Sequence, residues 1–342
     1  MSIYPAENRS MTMTTVKEGE VDLAALGRGG TVGIWAFSGL LTVIFALEVW
    51  IRWITSSTEF VPVPVMGPDA FAPWRLIALR VFEIVTLVLL FVCIWAFIIR
   101  PWMQERKLTI GGKMLIAGAF VCVIDGWLNQ HHYLFAWNQH GVNMGAWAAF
   151  MPFHTGATSP RYGEALLWGL PMYIYMVVGF CAVTISFIKF VQRYYPNLTK
   201  SAALAISFLV ITVLDFLVEV PAIWITHAYM YSKTFGPLTL FAGELHQFPI
   251  YEATGVGLIG MCGTAIWLSA AGDPNEVSFI ERGYEKFPPL LQTPVRILAY
   301  IGALFIIILL TYHIPFNWWG VIGDCTVELP SYMQVPLAGG FN

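Results

Sequence analysis

Four acidic residues lie in stretches of chain that are otherwise apolar: Asp125, Asp215, Glu219 and Glu252. Asp125 sits in "VIDGWLNQHHYLFAWNQH", where Asn129 and His132 follow at i+4 and i+7, the spacing of one helical face. His131 points about 100° away from that face. In "LDFLVEVPAIWITHAYMY", Asp215 and Glu219 are one turn apart, Pro221 bends the helix and His227 lies beyond the bend. "GELHQFPIYEATG" groups Glu244, His246 and Glu252 around Pro249. A bilayer penalises each of these groups, so each needs a partner, a wet cavity or a task. A carboxyl withdrawn from water holds its proton more tightly, and a second carboxyl nearby strengthens that hold. A protonated acid beside an ionised one is equipment for acid–base chemistry on a lipophilic molecule. Such a pair can protonate a carbonyl or hydroxyl, release water and close a ring.

The elements that position these groups follow from composition. Of 342 residues, 57% are hydrophobic and 11% charged, with mean hydropathy +0.67. A soluble chain would carry roughly twice that charge. Seven stretches are long enough to cross a bilayer, at 31–54, 76–99, 113–137, 165–190, 202–225, 248–270 and 294–314. The expected fold is therefore all-α, a polytopic membrane bundle of about seven transmembrane helices. It divides into a polar N-terminal tail (1–30), one transmembrane domain (31–335) and a short C-terminal tail (336–342). The net charge of −3 leaves no footprint for nucleic acid. The five cysteines are scattered without a CxxC pair, which supports neither a disulfide framework nor a zinc knuckle. Thirteen of the eighteen Lys and Arg flank the N-terminus and the second, fourth and sixth connections. Four, Arg52, Arg75, Arg161 and Lys233, fall on the other side. The basic side faces the cytoplasm, which puts the N-terminus inside and the C-terminus outside. With that orientation the acidic residues share a depth, from the midplane outwards, and a single polar cavity in the outer half, lined by spans three, five and six, is expected.

Several polar residues have plainer readings. Glu48–Arg52 and Arg80–Glu83 have salt-bridge spacing on a helix. His227 and His313 lie near span ends, where a histidine needs no special role. Trp53, Trp74, Trp318 and Trp319 read as an interfacial belt. The loop 138–164 is long for a simple connection and reads as a lid, with Asn143 or Trp147 turned inwards. Pro249 suits the first turn of span six, which sets Glu252 about one turn inside and lets His246 lean towards it.

Three segments carry a family resemblance: "NQHHYLFAWNQHGVNMGAWAAFMPF" (129–153), "DFLVEVPAIWITHAYMY" (215–231) and "GELHQFPIYEATG" (243–255). With the closing "LPSYM" (329–333), they resemble the spirocyclase AveC-like family, over roughly residues 35–335. Founding members of that family are bacterial membrane proteins that convert a dihydroxy-ketone polyketide into a spiroketal, and one also dehydrates its product. The resemblance implies a multi-pass protein of the bacterial cytoplasmic (inner) membrane, with no redox cofactor and no required metal. It implies Asp125, Asp215, Glu219 and Glu252 as acids and bases. Asn129, His132, Asn143 and His246 would orient hydroxyls or stabilise charge, and Trp147 and Tyr251 would line the substrate. The partners implied are a lipophilic small molecule and membrane lipid, with a homo-oligomer or a membrane partner subunit left open.

Two other classes stay open at the sequence level. Buried acidic groups also suit a transporter or a non-catalytic subunit that holds lipid or pigment. His, Asp and Glu on facing helices could bind haem or a metal. The seven histidines lack the HxxxH and HxxHH boxes of membrane di-iron oxidases, and His154 and His313 look peripheral. A retinal protein is excluded, since "RILAYIGALFIIILLTYH" has no lysine.

Overall fold

The computed structural model of the protein describes residues 30–153, 162–273 and 275–335. The N-terminal tail before Gly30, the tail 336–342, Arg161 and His154 lie outside the described residues.

Long, predominantly apolar runs wind into helices because, in lipid, a helix satisfies its own backbone. Helix α1 spans Thr31–Thr55. Helix α2 (Pro73–Ile94) starts on a proline, whose missing N–H would be unpaired there anyway. It runs through a π turn at Trp95–Ile99 into α3 (Arg100–Glu105). Helix α4 (Ile110–Val121) is capped by Thr109, whose hydroxyl accepts from the Gly112 N–H at 3.2 Å. It then tightens into a 3-10 turn at Cys122–Trp127. Helix α5 is Gly169–Gln192, and α6 is Lys200–Thr226 with Pro221 inside it. Helix α7 is Ile250–Ser269. Helix α8 (Pro289–Ile308) passes through a second π turn at Leu309–His313 into α9 (Ile314–Val321).

Six helices or helix runs are long and apolar enough to cross a membrane. They are Thr31–Thr55, Pro73–Glu105, Ile110–Trp127, Gly169–Gln192, Lys200–Thr226 and Pro289–Val321. The most apolar 18 residues of the run Pro73–Glu105 are only 11% buried, and the large apolar side chains the run exposes include Ile77, Val81, Ile84, Val88 and Phe91. Such a surface suits lipid and not water, so the chain is a multi-pass membrane protein. Helix α7 occupies the remaining expected stretch, but Glu252 and four glycines make it less apolar than the other six.

Helix α1 packs along α8, α6 along α7, and α4 lies against both α5 and α8. Glycine permits the closest approach. A Cβ on Gly39 of α1 would stand 1.8 Å from the Leu298 carbonyl oxygen of α8, so any other residue there would drive the helices apart. The loops gather at two ends. At one, the Thr31 hydroxyl donates to the Phe279 carbonyl at 2.8 Å, and buried Lys113 pairs with Glu281, which also accepts from Arg296 Nε at 2.6 Å. At the other, Arg75 donates to the Trp224 carbonyl at 2.8 Å.

The third span departs from expectation. It ends at Trp127 and not near 137, and the chain continues as a strand, β1 (Phe135–Trp137). β1 pairs antiparallel with β2 (Tyr229–Tyr231), Phe135 opposite Tyr231 and Trp137 opposite Tyr229. Shorter ladders join β3 (Lys233–Thr234) to β6 (Cys325–Thr326), and β4 (Thr239–Leu240) to β5 (Phe248–Pro249). The bundle is helical throughout its spans, with small strand pairs capping the end that carries the acidic residues. Two further readings change. Trp53 is not interfacial: it is buried, edge-on to Trp147 at 5.4 Å and to Phe60 at 4.8 Å. His313 is not peripheral: it is 1% exposed.

Candidate active site

Asp215 and Glu219 project from one face of α6, and Glu252 from the first turn of α7. Close packing of α6 on α7 brings the three together, and Gly257 allows it: a Cβ there would fall 2.1 Å from the Thr212 hydroxyl. One oxygen from each carboxyl lies within 4.8 Å of the others. Glu252 is 2% exposed and Asp215 8%. Tyrosines surround them. Tyr231 donates to Glu219 Oε2 at 3.2 Å, Tyr229 reaches the same carboxyl, and Tyr312 reaches Glu252. Asp215 Oδ2 and Glu252 Oε2 are buried without a hydrogen-bond partner. Glu219 is partly exposed, and Phe248 and Phe316 flank the Tyr231 ring beside it at 5.8 and 6.0 Å. Three such oxygens match the chemistry of a hard divalent cation, and equally that of shared protons.

Asp125 lies in the 3-10 turn after α4, 3% exposed. Its neighbours are Glu164, in the connection before α5, and Tyr173 of α5. Burial pushes the Glu164 carboxyl well above the usual range, and the charge of Asp125 adds to the effect. Tyr173 stands 3.3 Å from His313 Nε2. Beside them four rings form a closed circuit: Phe135 stacks on Tyr229 at 4.4 Å, Tyr229 on Trp168 at 5.2 Å, Trp168 meets Trp137 at 5.1 Å, and Trp137 meets Phe135 at 4.8 Å. Tyr229 belongs to both this aromatic box and the Glu219 site.

The other candidate residues are placed elsewhere. Asn129 does not share a helical face with Asp125, because the helix ends at Trp127. Its side chain ties its own turn, donating to the Phe135 carbonyl at 2.9 Å and accepting from the Leu134 and Phe135 N–H groups. His132 is exposed on the same turn. Asn143 accepts from the Val63 N–H at 2.8 Å and donates to the Gly141 carbonyl at 2.9 Å, so it holds loop to loop. Trp147 is turned inwards and donates to the Val123 carbonyl at 2.9 Å. The 138–164 loop thus packs on the bundle in its described parts. His246 does not lean on Glu252: it packs edge-on against Trp224 at 4.6 Å and near Phe241 at 5.3 Å. Pro249 precedes the helix as its N-cap, one residue earlier than expected. Tyr251 faces away from Glu252 and stacks on Trp319 at 5.6 Å.

Glu164, Tyr173, Tyr229, Tyr231, Tyr312 and His313 escape sequence reasoning. Glu164 sits in a loop with no helical period, and the tyrosines look like ordinary span-end aromatics. Only Pro315 hints at the arrangement around Tyr312 and His313. It supplies no N–H to the Thr311 carbonyl, and a helix that loses such a bond can widen into a π turn. The turn directs two successive residues inwards, Tyr312 to Glu252 and His313 to Tyr173.

Comparison with known proteins gives one positive result. The model of a family described as "Spirocyclase AveC-like" matches residues 105–333. No curated protein and no solved structure matches the chain.

Proposed function

The chain belongs to the spirocyclase AveC-like family, and on that premise we propose that its acidic core is the active site of a cofactor-independent acid–base catalyst for a lipophilic hydroxy-ketone. The observation that carries this reading is the convergence of Asp215, Glu219 and Glu252 to within 4.8 Å, with unpartnered buried oxygens on two of them. Buried polar atoms left unsatisfied are costly, and a substrate hydroxyl or carbonyl would satisfy them.

In this reading a protonated carboxyl of the set donates to the ketone oxygen, and a substrate hydroxyl attacks the carbonyl carbon and gives its own proton back to that carboxylate, which yields a hemiketal. The same acid protonates the hemiketal hydroxyl, which leaves as water. A second substrate hydroxyl attacks the resulting oxocarbenium ion and returns its proton to a carboxylate, which closes the spiroketal. The remaining carboxylates, with the faces of the aromatic box, would stabilise the cation. Dehydration would need only the first half of this equipment, proton donation to a hydroxyl and its departure as water. We place the protein in the bacterial cytoplasmic membrane, with the acidic end of the bundle facing outwards.

The test is turnover of a dihydroxy-ketone by the purified full chain, with the substrate class guided by mass spectrometry of whatever lipophilic molecule co-purifies. Loss of turnover in Asp215→Asn and Glu219→Gln with folding retained supports the reading, and full activity in both defeats it. The same 4.8 Å spacing favours one alternative, a divalent cation on the three carboxyls acting as a Lewis acid, and metal analysis of active protein separates the two.

A further inference from the structure

Glu219 receives its hydrogen bond from a strand and not from a helix. Tyr231, the last residue of β2, is fully buried, and its hydroxyl donates to Glu219 Oε2 at 3.2 Å. Among the described residues β2 pairs with β1 and with no other strand, and an isolated two-stranded ladder is marginal on its own. A buried amide holds it from another side. Gln247, also fully buried, lies in the turn Glu244–Gln247 before α7. Its Nε2 donates to the Tyr231 carbonyl at 2.8 Å. Its Oε1 accepts from the Thr234 hydroxyl at 3.2 Å, the Gly243 N–H at 3.2 Å and the Cys325 thiol at 3.3 Å. The amide has one workable orientation, because a carbonyl oxygen cannot donate and a backbone N–H cannot accept. Phe248, the next residue, meets the Tyr231 ring edge-on at 5.8 Å. Tyr231 is thus gripped at its backbone by Gln247 and at its ring by Phe248, with its hydroxyl on Glu219.

We propose that Gln247 is a positioning residue for the reaction: it holds Tyr231 in place, and Tyr231 holds the Glu219 carboxyl. The proposal rests on the reading of the core as an acid–base site. A hydroxyl bonded to Oε2 fixes the turn of the Glu219 carboxyl, and with it the convergence on Asp215 and Glu252 to within 4.8 Å. Without the Gln247 bond the Tyr231 carbonyl is left buried and unpaired, which is costly, and the strand end shifts to find another partner. The hydroxyl then leaves Glu219 while the helices, which pack on one another and not on this turn, stay assembled. Gln247 does not touch substrate in this scheme, and it acts through Tyr231.

The test is infrared spectroscopy of the full chain in lipid nanodiscs, with isotope-labelled tyrosine and Tyr231→Phe assigning the carbon–oxygen stretch of the Tyr231 hydroxyl. Gln247→Met keeps the length of the side chain and removes its hydrogen bonds. It is expected to move that band away from the position of a hydroxyl donating to a carboxyl. Thr234→Val removes one bond to Gln247 and spares the bond to Tyr231, so it is expected to leave the band in place. If Gln247→Met fails to fold, Gln247→Asn, an amide one methylene short of Tyr231, takes its place. In turnover of a dihydroxy-ketone, Gln247→Met is expected to lower kcat by about 10–10²-fold at unchanged KM, the mark of a misplaced group that does not bind substrate. In a Tyr231→Phe background the same substitution is expected to lower kcat no further. A Tyr231 band unmoved by Gln247→Met, or moved equally by Thr234→Val, overturns the proposal. So does a kcat that depends on Glu219 and ignores Gln247. Turnover indifferent to Glu219→Gln sinks the acid–base reading of the core instead, and the band still reports whether Gln247 holds Tyr231.

Discussion

At the scale of single residues, two buried acidic arrangements behave in opposite ways. Asp215, Glu219 and Glu252 have no cation among the described residues, only tyrosine hydroxyls and one another, so their natural partners are protons or a ligand. General acid–base groups typically contribute about 10²–10⁴ in rate. Asp215→Asn and Glu219→Gln are each expected to lower turnover at least about 10²-fold while thermal unfolding stays cooperative. Chelation of divalent metal is expected to leave the wild-type rate unchanged, and a rate restored only by added metal would favour the cation alternative. Glu281 is the contrary case. Burial pushes its carboxyl up, but Lys113 and Arg296 outweigh that and hold it below the ordinary glutamate value. Its contribution to stability is therefore complete above the ordinary glutamate range and is lost as pH falls through the lower folded value. Glu281→Gln strands Lys113 without its counter-charge and is expected to cost about 3–5 kcal/mol, the usual result of removing one partner of a buried pair. Denaturant unfolding of both proteins at neutral pH and at a pH below the ordinary glutamate range checks the size and the sign, since the gap between them narrows only there.

At the scale of elements, helix geometry does the positioning, and it explains which parts of the site the sequence reveals. Asp215 and Glu219 are legible because α6 is regular there and a four-residue spacing fixes a shared face. Glu252 is legible because Pro249 marks where α7 begins. Asp125, Asn129 and His132 mislead for the same reason reversed: their spacing holds only while the helix continues, and it ends at Trp127. Glu164 approaches Asp125 through the folding of a loop, which no local period records. Tyr312 and His313 depend on a π turn whose only mark in the sequence is Pro315. Restoring an N–H at that position with Pro315→Ala lets the Thr311 carbonyl regain its ordinary partner. The last span is then expected to relax towards a regular helix and to turn Tyr312 or His313 out of the core. Misplacement of this order can cost about 10²-fold in rate. The expected signature is a turnover defect in a protein whose melting temperature is unchanged or raised. Wild-type turnover in Pro315→Ala would show that the π turn has no part in catalysis.

At the scale of the whole molecule, the loops separate into two ends, and the charges follow. One end gathers Thr31, Lys107, Lys113, Glu276, Glu281 and Arg296, joined by hydrogen bonds and ion pairs. The other gathers Arg75, Trp224, the strand pairs and the acidic core. Helix α7 must run from the second end to the first, because α6 delivers the chain at Trp224 and α8 starts beside the segment Phe279–Arg282 that bonds Thr31. Although α7 is the least apolar of the long helices, a crossing by it would make seven in all, an odd number, and would put Gly30 and Val335 on opposite sides of the membrane. Thirteen Lys and Arg flank the N-terminal side against four on the other, a bias that would hold that side in the cytoplasm. We therefore expect an alkaline phosphatase fused after Asn342 to be active and one fused in the connection after Arg193 to be inactive. A fluorescent reporter that folds only in the cytoplasm should give the reverse pattern. Phosphatase inactive at both sites would mean that α7 does not cross, and activity after Arg193 alone would invert the bundle. Either result would move the acidic core to a different leaflet or a different enclosure. The expected pattern opens the core to substrates that arrive from the outer leaflet, where a lipophilic hydroxy-ketone would partition before it meets Glu252.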